Sequence, residues 1–254
     1  MPIENQGLIP RHGGYRNLKT FKLGELIYDV TVRFCDKYVD RRSRTHDQMV
    51  QAARSGPRNV AEGSMDSATS KKSELKLTGV GHGSLEELTL DYQAYLRQRG
   101  LPEWPPEHPV LRRFRARRPA TLDEFRAWVA DEVRREKATR TEKMTRTDTD
   151  EHGQTRTPRT APPRSGAGSV FVRARPCQSV SPSSSVSPSL SRIPPAMLPP
   201  TLVANGALSL LNVCTHLLGR QLASQARAFE KEGGFTERLH RTRSAARRNG
   251  PGPC

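Results

Sequence analysis

The chain has 254 residues, 34% of them hydrophobic, with 20 prolines and 19 glycines, a balance that excludes one large continuous core and leaves room for a modest one beside polar sequence. Its formal charge of +16 is carried by 33 arginines against 9 lysines, so polyanions are the partners to weigh first, nucleic acid ahead of an anionic membrane surface. GC-rich coding produces the same Arg- and Pro-rich composition, and charge alone does not decide between the two.

The first helix is predicted over about 16–38, where Leu23, Ile27, Val30, Phe34 and Tyr38 recur at steps of three and four. Residues 40–44 make the turn. A second helix follows over about 45–63, THDQMVQAARSGPRNVAEG. Met49, Val50, Ala53, Val60 and Ala61 form its stripe, and Pro57 should kink it near the middle. A third helix, about 71–99, carries Leu77, Leu85, Leu88, Tyr92 and Leu96 and ends at Gly100.

Residues 105–136 read as a Pro-rich linker and a short satellite helix, whose start is marked by the capping box Thr121-Leu122-Asp123-Glu124. From 137 to 200 the Thr-, Ser-, Pro- and Arg-rich sequence is too poor in apolar residues to build a core and is expected to be a disordered insert. A fourth long helix, 201–232, presents Leu208, Leu211, Leu218, Leu222 and Phe229 and stops at Gly233-Gly234. A basic helix and tail, 233–254, follows. The expected architecture is all-α, an up-down-up-down four-helix bundle with a satellite helix, a disordered insert and a short basic C-terminal helix.

Four cysteines, Cys35, Cys177, Cys214 and Cys254, form no CxxC pair and no cysteine-histidine spacing of the zinc kind. The opening MPIENQGLIPRHGG lacks the basic start and apolar run of a signal peptide. The apolar run near 208–218 is short for a bilayer and interrupted by Asn212, Thr215 and His216. A cytoplasmic protein with reduced thiols is expected, without a membrane span.

The block at 45–63, flanked by GGYRNLKTFKLGELIYDVTVRFCDKYV and by SKKSELKLTG with GSLEELTLDYQAYLRQRGLPEW, resembles the bacterial four-helix-bundle proteins encoded by intervening sequences in large ribosomal RNA genes. The accessory protein of diversity-generating retroelements belongs to that group. A second block, 202–248, is similar to the branch whose last helix runs into a Gly-Gly-Phe-Thr-Glu-Arg-Leu suffix. The resemblance covers residues 13–104 and 202–248. It implies the bundle fold, nucleic-acid binding and a homo-oligomer, a pentamer by analogy with the retroelement protein. Tyr28, Tyr92, Tyr95, Trp104 and the alanines 52, 53 and 61 supply apolar surface for such self-association.

Chemistry-bearing motifs are sparse. The GVGHGS segment at 79–84 sits in helical sequence without a preceding strand or a Gly-Lys-Ser/Thr ending, so helix packing explains its glycines better than phosphate binding does. No histidine lies in a nucleophile elbow, and no Glu-x-x-His pair is present. No catalytic residue, cofactor or metal site is expected. Three arginine clusters remain: Arg41, Arg42 and Arg44 at a turn; Arg112, Arg113, Arg115, Arg117 and Arg118 beyond the third helix; and Arg238, Arg241, Arg243, Arg247 and Arg248 in the tail. The first and third are the candidate nucleic-acid contacts, with Arg241 and Arg248 on one helix face. The function expected is non-enzymatic, sequence-tolerant binding of RNA or DNA; the alternative is a scaffold that recruits a partner protein through tail and insert.

Overall fold

The structure, a computed structural model, describes residues 14–150, 190 and 193–249, and the fold over them is all-α. After a short 3₁₀ turn (Gly14–Asn17) come α1 (Lys19–Tyr38), α2 (Arg44–Asp66), α3 (Lys71–Gln98), α4 (Pro109–Arg117) and α5 (Leu122–Asp150). A second 3₁₀ turn (Pro195–Met197) leads into α6 (Leu198–Glu232), and α7 (Phe235–Asn249) closes the described chain. α2 packs most extensively on α3, α1 lies against α2 and α6, and α3 lies against α6.

The starts of these helices are written locally. Ser43 accepts the Thr45 N–H at 3.2 Å before α2, and Ser70 accepts the Ser73 N–H at 3.1 Å before α3. At α5, Thr121 Oγ1 accepts from the Glu124 N–H at 3.3 Å, while Glu124 reaches back to the Ala120 N–H at 2.7 Å. The predicted capping box is thus present, its return bond made one residue further back.

Ile27, Val30 and Phe34 of α1, Met49, Ala53 and Val60 of α2, Leu85, Leu88, Tyr92 and Leu96 of α3, and Leu208, Leu211 and Leu218 of α6 are all buried in one core. The Phe34 ring meets Tyr92 at 4.9 Å and Tyr95 at 4.7 Å. Tyr92 keeps its hydroxyl satisfied by donating to Thr31 at 3.1 Å, and Thr31 in turn donates to the Ile27 carbonyl at 2.7 Å.

Glycine sets the spacing where α2 crosses α3. A methyl group on Gly81 would stand 2.8 Å from the Gly56 carbonyl oxygen, and one on Gly56 would stand 2.6 Å from the Leu85 side chain. Beside this crossing Ser84 donates to Ser55 at 3.0 Å. Helix α2 continues through Pro57, whose ring packs on Gly24 of α1. Gly79 and Gly83 face open space.

Several expectations change. The basic stretch after Pro105 forms α4, begun by Pro109 at its first turn. The satellite helix α5 runs to Asp150 instead of ending at 136. Its run past 136 is tied in by Arg140, which pairs with Glu136 at 2.8 Å and donates to the carbonyls of Leu190 at 3.0 Å and Ile193 at 2.7 Å. Ile193 and Leu198 are buried, so the expected insert 137–200 contributes core residues at its end. Residues 151–189 lie outside the described ones.

Tyr92, Tyr95, Trp104, Ala52, Ala53 and Ala61 are also buried inside this one chain, which removes them as surface for self-association. The apolar stretch of α6 is longer than 208–218, because Leu198, Leu202 and Val203 extend it. By length and composition it is apolar enough to cross a membrane, and 56% of that window is buried within the fold.

Two tests follow from the packing. Gly81→Ala, forced against backbone, should destabilise by about 1–3 kcal/mol, whereas Gly83→Ala should stabilise α3 by up to about 1 kcal/mol; denaturant melts of the two variants should move in opposite directions. Burial pushes the Cys35 and Cys214 thiols up to about 12. Their neutral forms therefore add stability that is complete below pH 9 and is lost as pH climbs toward 12. In a Cys177→Ser, Cys254→Ser background at pH 8, a thiol reagent should label the native protein only as fast as it unfolds.

Candidate nucleic-acid interface

The three arginine clusters have different surroundings. At the α1–α2 turn, Arg41 pairs with Asp36 at 3.1 Å and the Arg42 N–H donates to Asp40 at 2.9 Å. Arg44 lines a groove that also holds Asp47, Glu87 and Asp91. Burial, then the neighbouring Glu87, raises the Asp91 carboxyl above its ordinary value. His46 stands 3.7 Å from Asp36 and 3.4 Å from Asp47. Arg41 is thus ion-paired, and Arg44 shares its groove with three carboxylates that offset its charge.

Three arginines of the middle cluster are structural. Arg113 makes a two-pronged pair with Glu132, its Nε at 2.7 Å, and Glu132 is only 3% exposed. Arg117 reaches Asp131 at 2.6 Å, and Arg134 reaches the same carboxylate. Hydrogen bonds from Arg117 and Arg134 hold the Asp131 carboxyl below its usual range. Arg115 donates to the Pro106 carbonyl. These contacts clip α4 to α5, and around them Phe114, Phe125 and Trp128 form an edge-on aromatic cluster at 4.6–5.6 Å.

The tail differs from both. Gly233, at φ 72°, ends α6, and its N–H donates to the Phe229 carbonyl at 2.9 Å. The Gly234 N–H donates to one oxygen of Glu237, the acid of α7, at 2.8 Å. Arg241, Arg243, Arg247 and Arg248 are all exposed. Helical spacing puts Arg243 with Arg247 on one flank and Arg241 with Arg248 on another, either side of the Phe235 and Leu239 stripe. Arg247 and Arg248 in the last turn also complement the helix dipole, which is the purely structural account of them. The Arg238 side chain lies outside the described residues.

The fold separates the two candidate clusters. Thr20 at the start of α1 bonds Gln221 of α6 at 2.9 Å, and Glu74 near the start of α3 bonds Gln225 at 3.1 Å. Asn205 near the start of α6 bonds the Trp104 N–H at 2.8 Å, just beyond α3. The α1–α2 turn therefore sits at the opposite end of α1 from α7, and α1, with 20 residues, is about 30 Å long. No single contact surface unites them.

Sequence reasoning missed Asn205, which is 1% exposed and also donates to the Pro102 and Thr201 carbonyls at 3.0 and 2.9 Å. It missed Glu132 as well. Neither carries a sequence signal, since each acts on a partner far away in the chain. Comparison with protein-family models, with curated proteins and with solved structures finds no match for this chain.

Arg113→Met should strand the buried Glu132 carboxylate and lower stability by about 3 kcal/mol or more. Nucleic-acid affinity, measured on the folded variant, should stay within twofold of the parent protein.

Proposed function

We propose that this chain is a non-enzymatic, sequence-tolerant nucleic-acid-binding protein of the cytoplasm, built on an up-down-up-down four-helix bundle of α1, α2, α3 and α6. Membership of the intervening-sequence family is part of the proposal. The pairing of α1 with α2 and α6, of α3 with α2 and α6, and the meetings of Thr20 with Gln221 and Glu74 with Gln225 support that topology.

The observation that carries the functional reading is the exposure of Arg241, Arg243, Arg247 and Arg248 on two flanks of α7, a helix whose own sequence holds a single acid, Glu237. Such a helix attracts a phosphate backbone by charge and by bidentate hydrogen bonds, and it reads no base sequence. Arg41, Arg42 and Arg44 are secondary contacts in this reading, because Asp36 pairs with Arg41 and carboxylates share the groove of Arg44.

Homo-oligomer formation belongs to the same proposal. After Tyr92 and Trp104 are assigned to the core, the support that remains is the outer face of α3, where Gly79 and Gly83 are open and Val80 and Leu90 are 46% and 65% exposed. Light scattering should give a mass several times 28.4 kDa; a strictly monomeric mass at moderate salt would refute this part.

For the tail, changing Arg241, Arg243, Arg247 and Arg248 to Gln should flatten the slope of log affinity against log salt by up to about 3 units for single- and double-stranded nucleic acid. The same change at Arg41, Arg42 and Arg44 should flatten it by less than about 1 unit. Melting of either variant should barely shift. An unchanged slope in the tail variant sinks the proposal.

A further inference from the structure

A second basic feature lies on the body of the protein, around an apolar groove of 680 Å³ where α1, α4 and α6 meet. Leu23 and Leu26 of α1, Phe114 of α4, and Leu210 and Val213 of α6 form its floor. Lys19, Lys22, Arg115 and Arg118 stand on its rim, and among the described residues no carboxylate lines it. This contrasts with the neighbouring α4–α5 surface, where Arg113, Arg117 and Arg140 are each matched to an acid. Arg115 is anchored to the Pro106 carbonyl at the groove's edge.

Two backbone features sharpen the picture. Among the described residues Arg118 is the one non-glycine with positive φ, 49°, a conformation that costs about 1–2 kcal/mol for a side-chain-bearing residue and fixes its Cα at the rim. Helix α1 begins beside the groove at Lys19, with no side-chain cap and no acid in its first turn, so its free amides add positive potential at the same place.

Leu23 is partly exposed and Val213 is 46% exposed in this groove; apolar surface left in water and like charges left without a counter-charge are both unfavourable, and a molecule with a hydrocarbon body and an anionic head relieves both. We propose that this groove binds an amphiphilic anion, a single hydrocarbon chain ending in a carboxylate or phosphate. The volume falls within the roughly 300–1,000 Å³ usual for small-molecule sites. The facing pairs Leu23–Leu26 and Leu210–Val213 each cover about one helical turn. That floor is too short to seat the apolar face of a multi-turn acidic peptide, and its largely aliphatic surface offers little for a nucleobase to stack on.

The test uses the full chain and two variants at exposed positions: Lys22→Glu combined with Arg118→Glu, which reverses the rim, and Val213→Trp, which fills the groove. Both should melt as the parent does. Calorimetric titration with decanoate below its micelle concentration should give saturable one-to-one binding, with decanol about tenfold weaker or worse and about tenfold or more lost in the rim variant. Val213→Trp should weaken both probes. If decanoate fails to bind but phosphatidylglycerol vesicles sediment the parent and not the rim variant, the rim acts by charge on a membrane surface and the groove proposal is overturned. It is also overturned if neither probe binds, if decanol binds as tightly as decanoate, if neither variant changes binding, or if an acidic amphipathic peptide occupies the groove while decanoate does not.

Discussion

The distance between α2 and α3 governs the rest of the molecule. With the Gly56 carbonyl almost touching Gly81 and Leu85 lying over Gly56, the two backbones approach more closely than any pair of side-chain-bearing residues would allow. That closeness draws Ser55 and Ser84 into hydrogen-bond range, and Tyr92, Phe34 and Met49 are buried in the core beside it. Helix α1 is fitted to the same pair through Gly24 on the Pro57 ring, so three helices share one set of tight crossings. Dense packing of this kind turns a small apolar content into a single well-defined core.

Polar contacts attach the remaining parts. Asn205 holds the segment after α3 by bonding both Trp104 and Pro102, and it does so from a fully buried position where each lost bond would expose an unpaired group. Arg113 and Glu132 perform the same task between α4 and α5. Arg113 and Arg117 of the basic stretch after α3 are thus consumed in holding the fold, while Arg115 and Arg118 stand on the groove rim, so the composition that first suggested one polyanion surface divides among several places.

Helix periodicity made most of the core legible in advance. Spacing alone places Ile27, Val30, Phe34, Met49, Leu85, Leu88 and Leu211 on inward faces, and they are buried. Boundaries were readable where a serine or threonine cap or a glycine stop marks them. What spacing could not reveal was long-range pairing: that Arg113 is matched by Glu132, that Arg140 holds Ile193, or that Lys22 and Arg118 flank one groove. Periodicity describes one helix at a time, and these partners are set by how helices cross. For the same reason Trp104 read as spare surface, since its burial depends on α6, far along the chain.

The clasp between Arg140 and the carbonyls of Leu190 and Ile193 has a consequence in polymer terms. It brings the backbone at 190 and 193 beside the side chain of residue 140, so two points about 50 residues apart in sequence are joined on the folded body. Joining two points of a chain costs an entropy that grows only logarithmically with their separation, about 0.6 kcal/mol for each doubling. The clasp therefore costs little more than a contact between points half as far apart in sequence.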